Sequence, residues 1–359
     1  MKTLIAALAF TLMVPFSALA DCRYGEEIDL RKSKAWAFSQ LPIQNQGTYG
    51  ICYAYSASLI IDYHRLNKGM VQNGQMTDPL AAAIISTAKM QEMSLEGGNV
   101  CDVIDGLKLQ GYGCSEAGLA SYQIGTMGAD MQRYLVERVF MPYLVKQKKF
   151  EKVSGKLVDP KIRAQYEKTL TKNQKEYLTA LTGAVNFFEI LLQNHLIDRN
   201  LLPGKAKIAE FFQNVYLNNT WAGFEGELSF LLIRKSCVAS KFAMPALKCT
   251  EYQKKDVDLL QKIDQGLSKG NPVGISICSN FLTRKNYSGA NSNTYQVNSD
   301  CNMHSVAIIG KRDRSGSCEY LIRNSWGANY RYDWPTSSGD IWVNQYSLLS
   351  NTTQVQLVQ

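Results

Sequence analysis

Past residue 20, this 359-residue sequence has no apolar run that approaches bilayer-spanning length. It has no internal repeat and no low-complexity tract, so neither a repeat array nor a transmembrane anchor is expected. Histidine is scarce: only His64, His195 and His304 occur, so chemistry that needs an imidazole has three candidates. No recognised nucleic-acid-binding motif is present, and nothing calls for a metal or another cofactor. What remains is a chain with 45% hydrophobic residues, long enough for one large domain or two of ordinary size.

The first residues bear on the compartment. Lys2 precedes an apolar run from Leu4 to Val14, then Pro15 and the small-residue exit Ala18-Leu19-Ala20. A basic start, a short apolar core and an A-x-A-like end predict a cleaved signal peptide over residues 1–20. Cys22 follows Asp21, where lipid attachment would want a small residue, so no lipid anchor is expected. The mature chain is expected to begin near Asp21 and to be secreted or periplasmic. Nine cysteines fit such an oxidising compartment, and an odd count leaves one thiol over. If Cys52 is that thiol, the other eight allow about 105 pairings. Local spacing favours Cys101–Cys114, Cys237–Cys249 and Cys278–Cys301, which leaves Cys22 with Cys318.

The formal net charge of +8 is unevenly placed. Between Met131 and Val215 there are 15 Lys and Arg against 8 Asp and Glu, so the basic character belongs to one middle segment. There Leu178, Leu181, Val185, Phe188 and Leu192 recur at helical steps, as do Ile208, Phe211, Phe212 and Val215, and Met131, Leu135, Val139 and Tyr143. By contrast, Pro272–Ile277, Ser305–Ile309 and Tyr320–Ile322 read as short strands rich in β-branched residues. The pattern is α+β: a helical part over 21–124, a basic helical segment over 125–236 and a strand-rich part over 237–359.

Three separated stretches carry the chemistry. The first runs Gln44-Asn45-Gln46-Gly47-Thr48-Tyr49-Gly50-Ile51-Cys52-Tyr53-Ala54-Tyr55-Ser56 and leads into a helical pattern with Ala57, Ile60 and Ile61 as inward positions. Cys52 then sits at a helix N-terminus, where the helix dipole favours the thiolate, the nucleophilic form. Gln46 lies on the same loop, placed to donate its side-chain amide to an oxyanion. The second stretch, Cys301-Asn302-Met303-His304-Ser305-Val306-Ala307-Ile308-Ile309-Gly310, reads as a histidine opening an apolar strand that ends in glycine. His64 is expected to meet solvent or a packing contact, and His195 has no nucleophile-like neighbour. The third is Tyr320-Leu321-Ile322-Arg323-Asn324-Ser325-Trp326-Gly327.

Together, in the order Gln, Cys, His, Asn, these stretches resemble the papain-like cysteine peptidases. The resemblance is to a bacterial-type secreted member with a large central insertion. It implies a two-lobe fold, a helical N-terminal lobe and an antiparallel, β-barrel-like C-terminal lobe. It also implies a Cys52–His304 pair oriented by Asn324, with Trp326 shielding the His–Asn bond and bordering the substrate. Gly97-Gly98 resemble the glycines whose backbone pairs with a polypeptide substrate, and Gly270-Asn271-Pro272-Val273 the entry to the second lobe. Ser305, with Ser276 or Ile275 on a facing strand, is expected to line a side-chain pocket. Two departures stand out: Tyr49 replaces a half-cystine, and Tyr53 replaces the usual Trp. Met303 also stands where many relatives carry an acid, which disfavours the imidazolium and predicts a narrower alkaline limb of activity.

In papain-like enzymes the His and Asn lie roughly 130–150 residues beyond the Cys. Here they lie 252 and 272 residues beyond. The excess of roughly 110 residues matches the basic segment, so 125–236 reads as an insertion. Its surface is expected to be a solvated face, or a dock for an anionic surface or a regulatory partner. Only 31 positions separate Asp21 from Cys52, so no family-type propeptide is expected there. Two other functions use the same residues: a non-catalytic binding protein, and an acyltransferase or amidase acting on cell-wall peptides.

Overall fold

The chain enters through β1 (Glu27–Asp29), a single 3-10 turn and α1 (Ala37–Gln40), then runs into α2 (Cys52–Asn67). The computed structural model describes residues 22, 26–32, 37–47, 50–71, 75–90, 97–116, 237–254, 258–289 and 297–359. The expected signal peptide, the insertion over 125–236 with its expected helices, His195, Thr48 and Tyr49 lie outside them.

Helix α2 is buried on nearly all sides because its N-terminal half is built from small residues. Ala54 and Ala57 let neighbours approach, while Ile60 and Ile61 fill the core, all four fully buried. Each of those isoleucines contributes roughly 1.5–3 kcal/mol of burial. Helix α3 (Pro79–Met90) starts with proline at its first position, where no amide hydrogen bond is lost, and Asp78 Oδ1 accepts from the Ala81 N–H at 2.8 Å. Helix α4 (Val100–Gln110) opens on a capping box between Asn99 and Asp102 and closes on Gly111 in the left-handed conformation. Helices α3 and α4 pack so closely that a Cβ at Gly106 would lie 2.6 Å from the Ser86 backbone, so glycine is required there. Strand β2 (Tyr112–Cys114) ends this helical part.

The remainder comprises β3 (Lys241–Ala243), β4 (Cys249–Gln253), α5 (Leu259–Ser268), β5 (Val273–Cys278), α6 (Asn280–Thr283) and β6 (Met303–Arg314). It continues through β7 (Ser317–Arg323), β8 (Thr336–Ser337), β9 (Asp340–Asn344), α7 (Gln345–Asn351) and β10 (Thr352–Val358). The three expected strands fall within β5, β6 and β7. One antiparallel sheet runs in the order β4-β10-β5-β6-β7-β9-β8, with β1 also paired to β6. Alternation along β5 divides its side chains between two faces. A Cβ at Gly266 of α5 would strike Val273, whereas one at Gly274 would meet Val100 of α4. The Val273, Ile275 and Ile277 face therefore packs on α5, and the Gly274 and Ser276 face turns to the helical part.

The antiparallel sheet agrees with the expected strand-rich lobe, and among the described residues it is not a closed barrel. Among the described residues β4 and β8 end the sheet without pairing to each other, and β8 has only two residues, too few to carry a closing ladder. Strand β6 instead serves two partners on one edge. Its first half pairs with β5, and after an irregularity at Ile309 it pairs with β1 through Gly310–Arg312.

Two expected disulfides form, Cys22–Cys318 and Cys278–Cys301. The other two are re-paired as Cys101–Cys249 and Cys114–Cys237, with Cα separations of 5.2 and 5.0 Å. The reason is helix geometry. Cys101 sits in the first turn of α4 and Cys114 beyond its end, so about 15 Å of helix separates them, more than twice what a disulfide spans. Cys101–Cys249 ties α4 to β4, and Cys114–Cys237 lies beside the β2–β3 pairing. Cys52 is the one free cysteine. No helix among the described residues is long and apolar enough to cross a membrane.

Candidate active site

The loop that leads into Cys52 and the turn after β7 are laced together by the backbone. Gln46 N–H donates to the Ser325 carbonyl at 2.8 Å, and Gly327 N–H donates to the Gln44 carbonyl at 2.9 Å. Asn45 bridges Trp326 between them. Gly327 takes a φ of 84°, which lets the chain turn away directly after the contact. The first and third sequence stretches are thus one structural unit, and it seats Gln46 beside Asn324 and Ser325. The Ser325 hydroxyl donates to Gln46 Oε1, which fixes the orientation of that side-chain amide.

Cys52 is the first residue of α2, following Ile51, and is half-buried. Burial pushes its thiol pKa up. The nearby backbone amides of Ser305, Tyr53 and Cys52 itself act in the opposite sense, since their dipoles favour the thiolate. The Ser305 amide brings β6 close to Cys52, and the residue before it is His304. His304 is buried, and its Nε2 lies 2.7 Å from Asn324 Oδ1. Asn324 Oδ1 can only accept, so Nε2 carries the hydrogen and Nδ1 keeps its lone pair. Burial lowers the His304 pKa to about 4, and the Asn324 bond acts to raise it.

The Trp326 ring stacks on His304 with 4.8 Å between centroids, and Tyr330 and Tyr332 also pack against it. An isolated charge on either Cys52 or His304 is disfavoured by burial. Moving the proton from sulfur to imidazole instead makes an adjacent pair of opposite charges at a helix N-terminus. These are the groups that thiol activation needs: a cysteine at a helix N-terminus and a buried imidazole whose Nδ1 keeps its lone pair.

Gly97 and Gly98 lie just before the Asn99 cap of α4, half-buried and exposed respectively. Ser305 contributes its backbone to Cys52, while its side chain is buried and its Oγ has no partner. It stands opposite Ser276 in the β5–β6 ladder. His64 is buried near the far end of α2, edge-on to Tyr63. Two groups escaped the sequence reading. The Ser325 hydroxyl stood inside a recognised run but had no assigned role. Tyr332, whose hydroxyl meets Asn324 Nδ2 at 3.2 Å, lies in a loop with no periodic signal. Among the described residues no cluster of three or more His, Cys, Asp or Glu side chains is placed to hold a metal.

No family model matches the chain, and no curated protein does. Solved structures similar to it include the digestive procathepsin L2 proteinase from Tenebrio molitor larval midgut, at 12% identity and a TM-score of 0.43. That alignment covers 94% of this chain and 69% of the other. Another is the Amb a 11 cysteine protease of ragweed pollen in its proform, at 12% identity and a TM-score of 0.41. It covers 94% of this chain and 65% of the other. Likeness at this level transfers no residue role.

Proposed function

We propose that the chain is an exported papain-like cysteine endopeptidase. The observation that carries the reading is the seat of Cys52. It begins a helix and lies close to the backbone amide of Ser305, the residue that follows a buried histidine already hydrogen-bonded to Asn324.

In this reading His304 Nδ1 takes the Cys52 proton, and the thiolate attacks the carbonyl carbon of a polypeptide substrate. The resulting oxyanion receives hydrogen bonds from Gln46 Nε2 and the Cys52 backbone N–H. The tetrahedral intermediate collapses as the C–N bond breaks, and His304 returns the proton to the departing amine. Water then attacks the thioester with His304 as base, releasing the acid and restoring the thiol. Gly97 and Gly98 would pair with the substrate backbone, and Ser305 and Trp326 would border it. The pairing of β2 with β3 and the Cys114–Cys237 bond bring residues 114 and 237 together, which supports reading 125–236 as an insertion.

The test is turnover of a fluorogenic peptide library by the purified chain, with and without an added amine. Cleavage that disappears in Cys52→Ala, with free acid as the product, is the expected result. Amine-capped product would assign acyl transfer instead. Folded, reduced protein that turns over no peptide would overturn the reading.

A further inference from the structure

Tyr332 lies in the loop between β7 and β8, eight residues beyond Asn324, and is half-buried. Its hydroxyl oxygen accepts from Asn324 Nδ2 at 3.2 Å. The ring is held in place by its neighbours. It lies nearly parallel to Trp326, with 6.1 Å between centroids and 11° between planes, and 5.1 Å from Tyr330. Burial raises the phenol pKa to about 12, so the hydroxyl stays neutral beside the imidazole.

The Asn324 amide is thereby held at both ends. Its Oδ1 accepts from His304 Nε2 and from the Ser325 backbone N–H, each at 2.7 Å. A backbone N–H can only donate, so Ser325 sets which end of the amide faces His304. A hydroxyl can donate or accept, so Tyr332 does not choose that sense. It holds the opposite end and so fixes the plane of the amide. That plane decides how well Oδ1 aligns with the Nε2 hydrogen. The aligned bond in turn keeps Nδ1, the nitrogen that takes the Cys52 proton, free of hydrogen.

We propose that Tyr332 is a positioning residue that acts through Asn324 to hold His304 in its Nε2–H tautomer; in its catalytic consequence this rests on the peptidase reading. Tyr332→Phe removes one oxygen and keeps the ring stack. The expected result is a kcat lower by about 3- to 10-fold, the size of one lost buried hydrogen bond, with KM unchanged. The alkaline limb should also move to lower pH, because the Asn324 bond is what raises the His304 pKa. In an Asn324→Ala background the same substitution should add nothing. Equal losses in both backgrounds, or a change confined to KM, would show that Tyr332 only packs.

A second measurement needs no turnover. The sequence has three histidines, so nitrogen-15 NMR of the full chain can follow the His304 Nε2 hydrogen directly. Its exchange with water should accelerate in Tyr332→Phe, and unchanged exchange would overturn the role. A wild-type chain that cleaves nothing, yet shows this protected hydrogen and loses it in the variant, would sink the peptidase reading alone.

Discussion

The two ends of helix α2 bury ionisable groups under opposite terms. At the C-terminal end Asp62 is almost fully satisfied: it accepts from Arg65 Nη1 at 2.7 Å, from Thr77 Oγ1 at 2.7 Å and from the Thr77 N–H at 2.8 Å. The Arg65 guanidinium sits over the Phe242 ring, its Cζ 3.5 Å from the centroid. Burial alone would neutralise the carboxylate, and its pKa is raised to about 6, but these partners hold it back. At the N-terminal end, Cys52 and His304 are likewise desolvated, yet among the described residues no charged side chain acts on either. His304 is oriented by the neutral Asn324 bond, and in the proposed reading its Nδ1 and the Cys52 sulfur are available to each other. Burial with a charged partner makes a static joint; burial with oriented dipoles alone would leave a pair in which a proton can move.

The comparison is broken most severely at Asp62. Asp62→Ala leaves the Arg65 guanidinium buried without its anion, which should destabilise the chain by about 3–5 kcal/mol in chemical denaturation. Cys52 reactivity in the fraction that stays folded should be unchanged. The next largest effect belongs to Gln46. Gln46→Ala removes one oxyanion donor and should lower kcat about 10²-fold, with a melting temperature close to that of the parent.

His64 sharpens the comparison through pH. Burial, reinforced by Lys68, lowers its folded pKa to about 4 from an ordinary 6.5. Between those values the unfolded chain binds the proton and the folded chain does not. The stability His64 contributes is therefore complete above pH 6.5 and is lost as pH falls toward 4. Relative to the parent, His64→Phe should gain on the order of 2 kcal/mol across that window, read from denaturation curves at each pH. The smallest effect is expected at Met303, an exposed residue beside His304. Met303→Asp places a carboxylate near the imidazolium and should move the alkaline limb of kcat/KM upward by about one pH unit or less.

Much of the site was legible because its residues sit in short runs whose spacing has a mechanical meaning. Cys52 had to open a helix, and the apolar period after it showed where that helix would run. His304 had to begin a strand, and the β-branched run from Val306 showed that too. The disulfides were only half legible. Cys278–Cys301 joins a strand end to a nearby loop, so local spacing sufficed, and Cys22–Cys318 followed as the remaining pair. Cys101–Cys249 and Cys114–Cys237 depend on how α4 lies against the sheet, which no local pattern encodes. The antiparallel sheet was legible, but its lack of closure was not, for a related reason: closure depends on whether β4 and β8 meet, a property of pairing and not of either strand. Tyr332 was invisible because its role depends on a loop returning to Asn324.

The central claim is that Cys52 and His304 form a competent nucleophile–base pair. The most direct measurement is irreversible labelling of the purified, reduced chain by an epoxysuccinyl probe, mapped by peptide mass spectrometry. Label on Cys52 that disappears in His304→Ala, a variant that retains the sulfur, is the predicted result. Equal labelling of Cys52 with and without His304, or none in the folded parent, would contradict it.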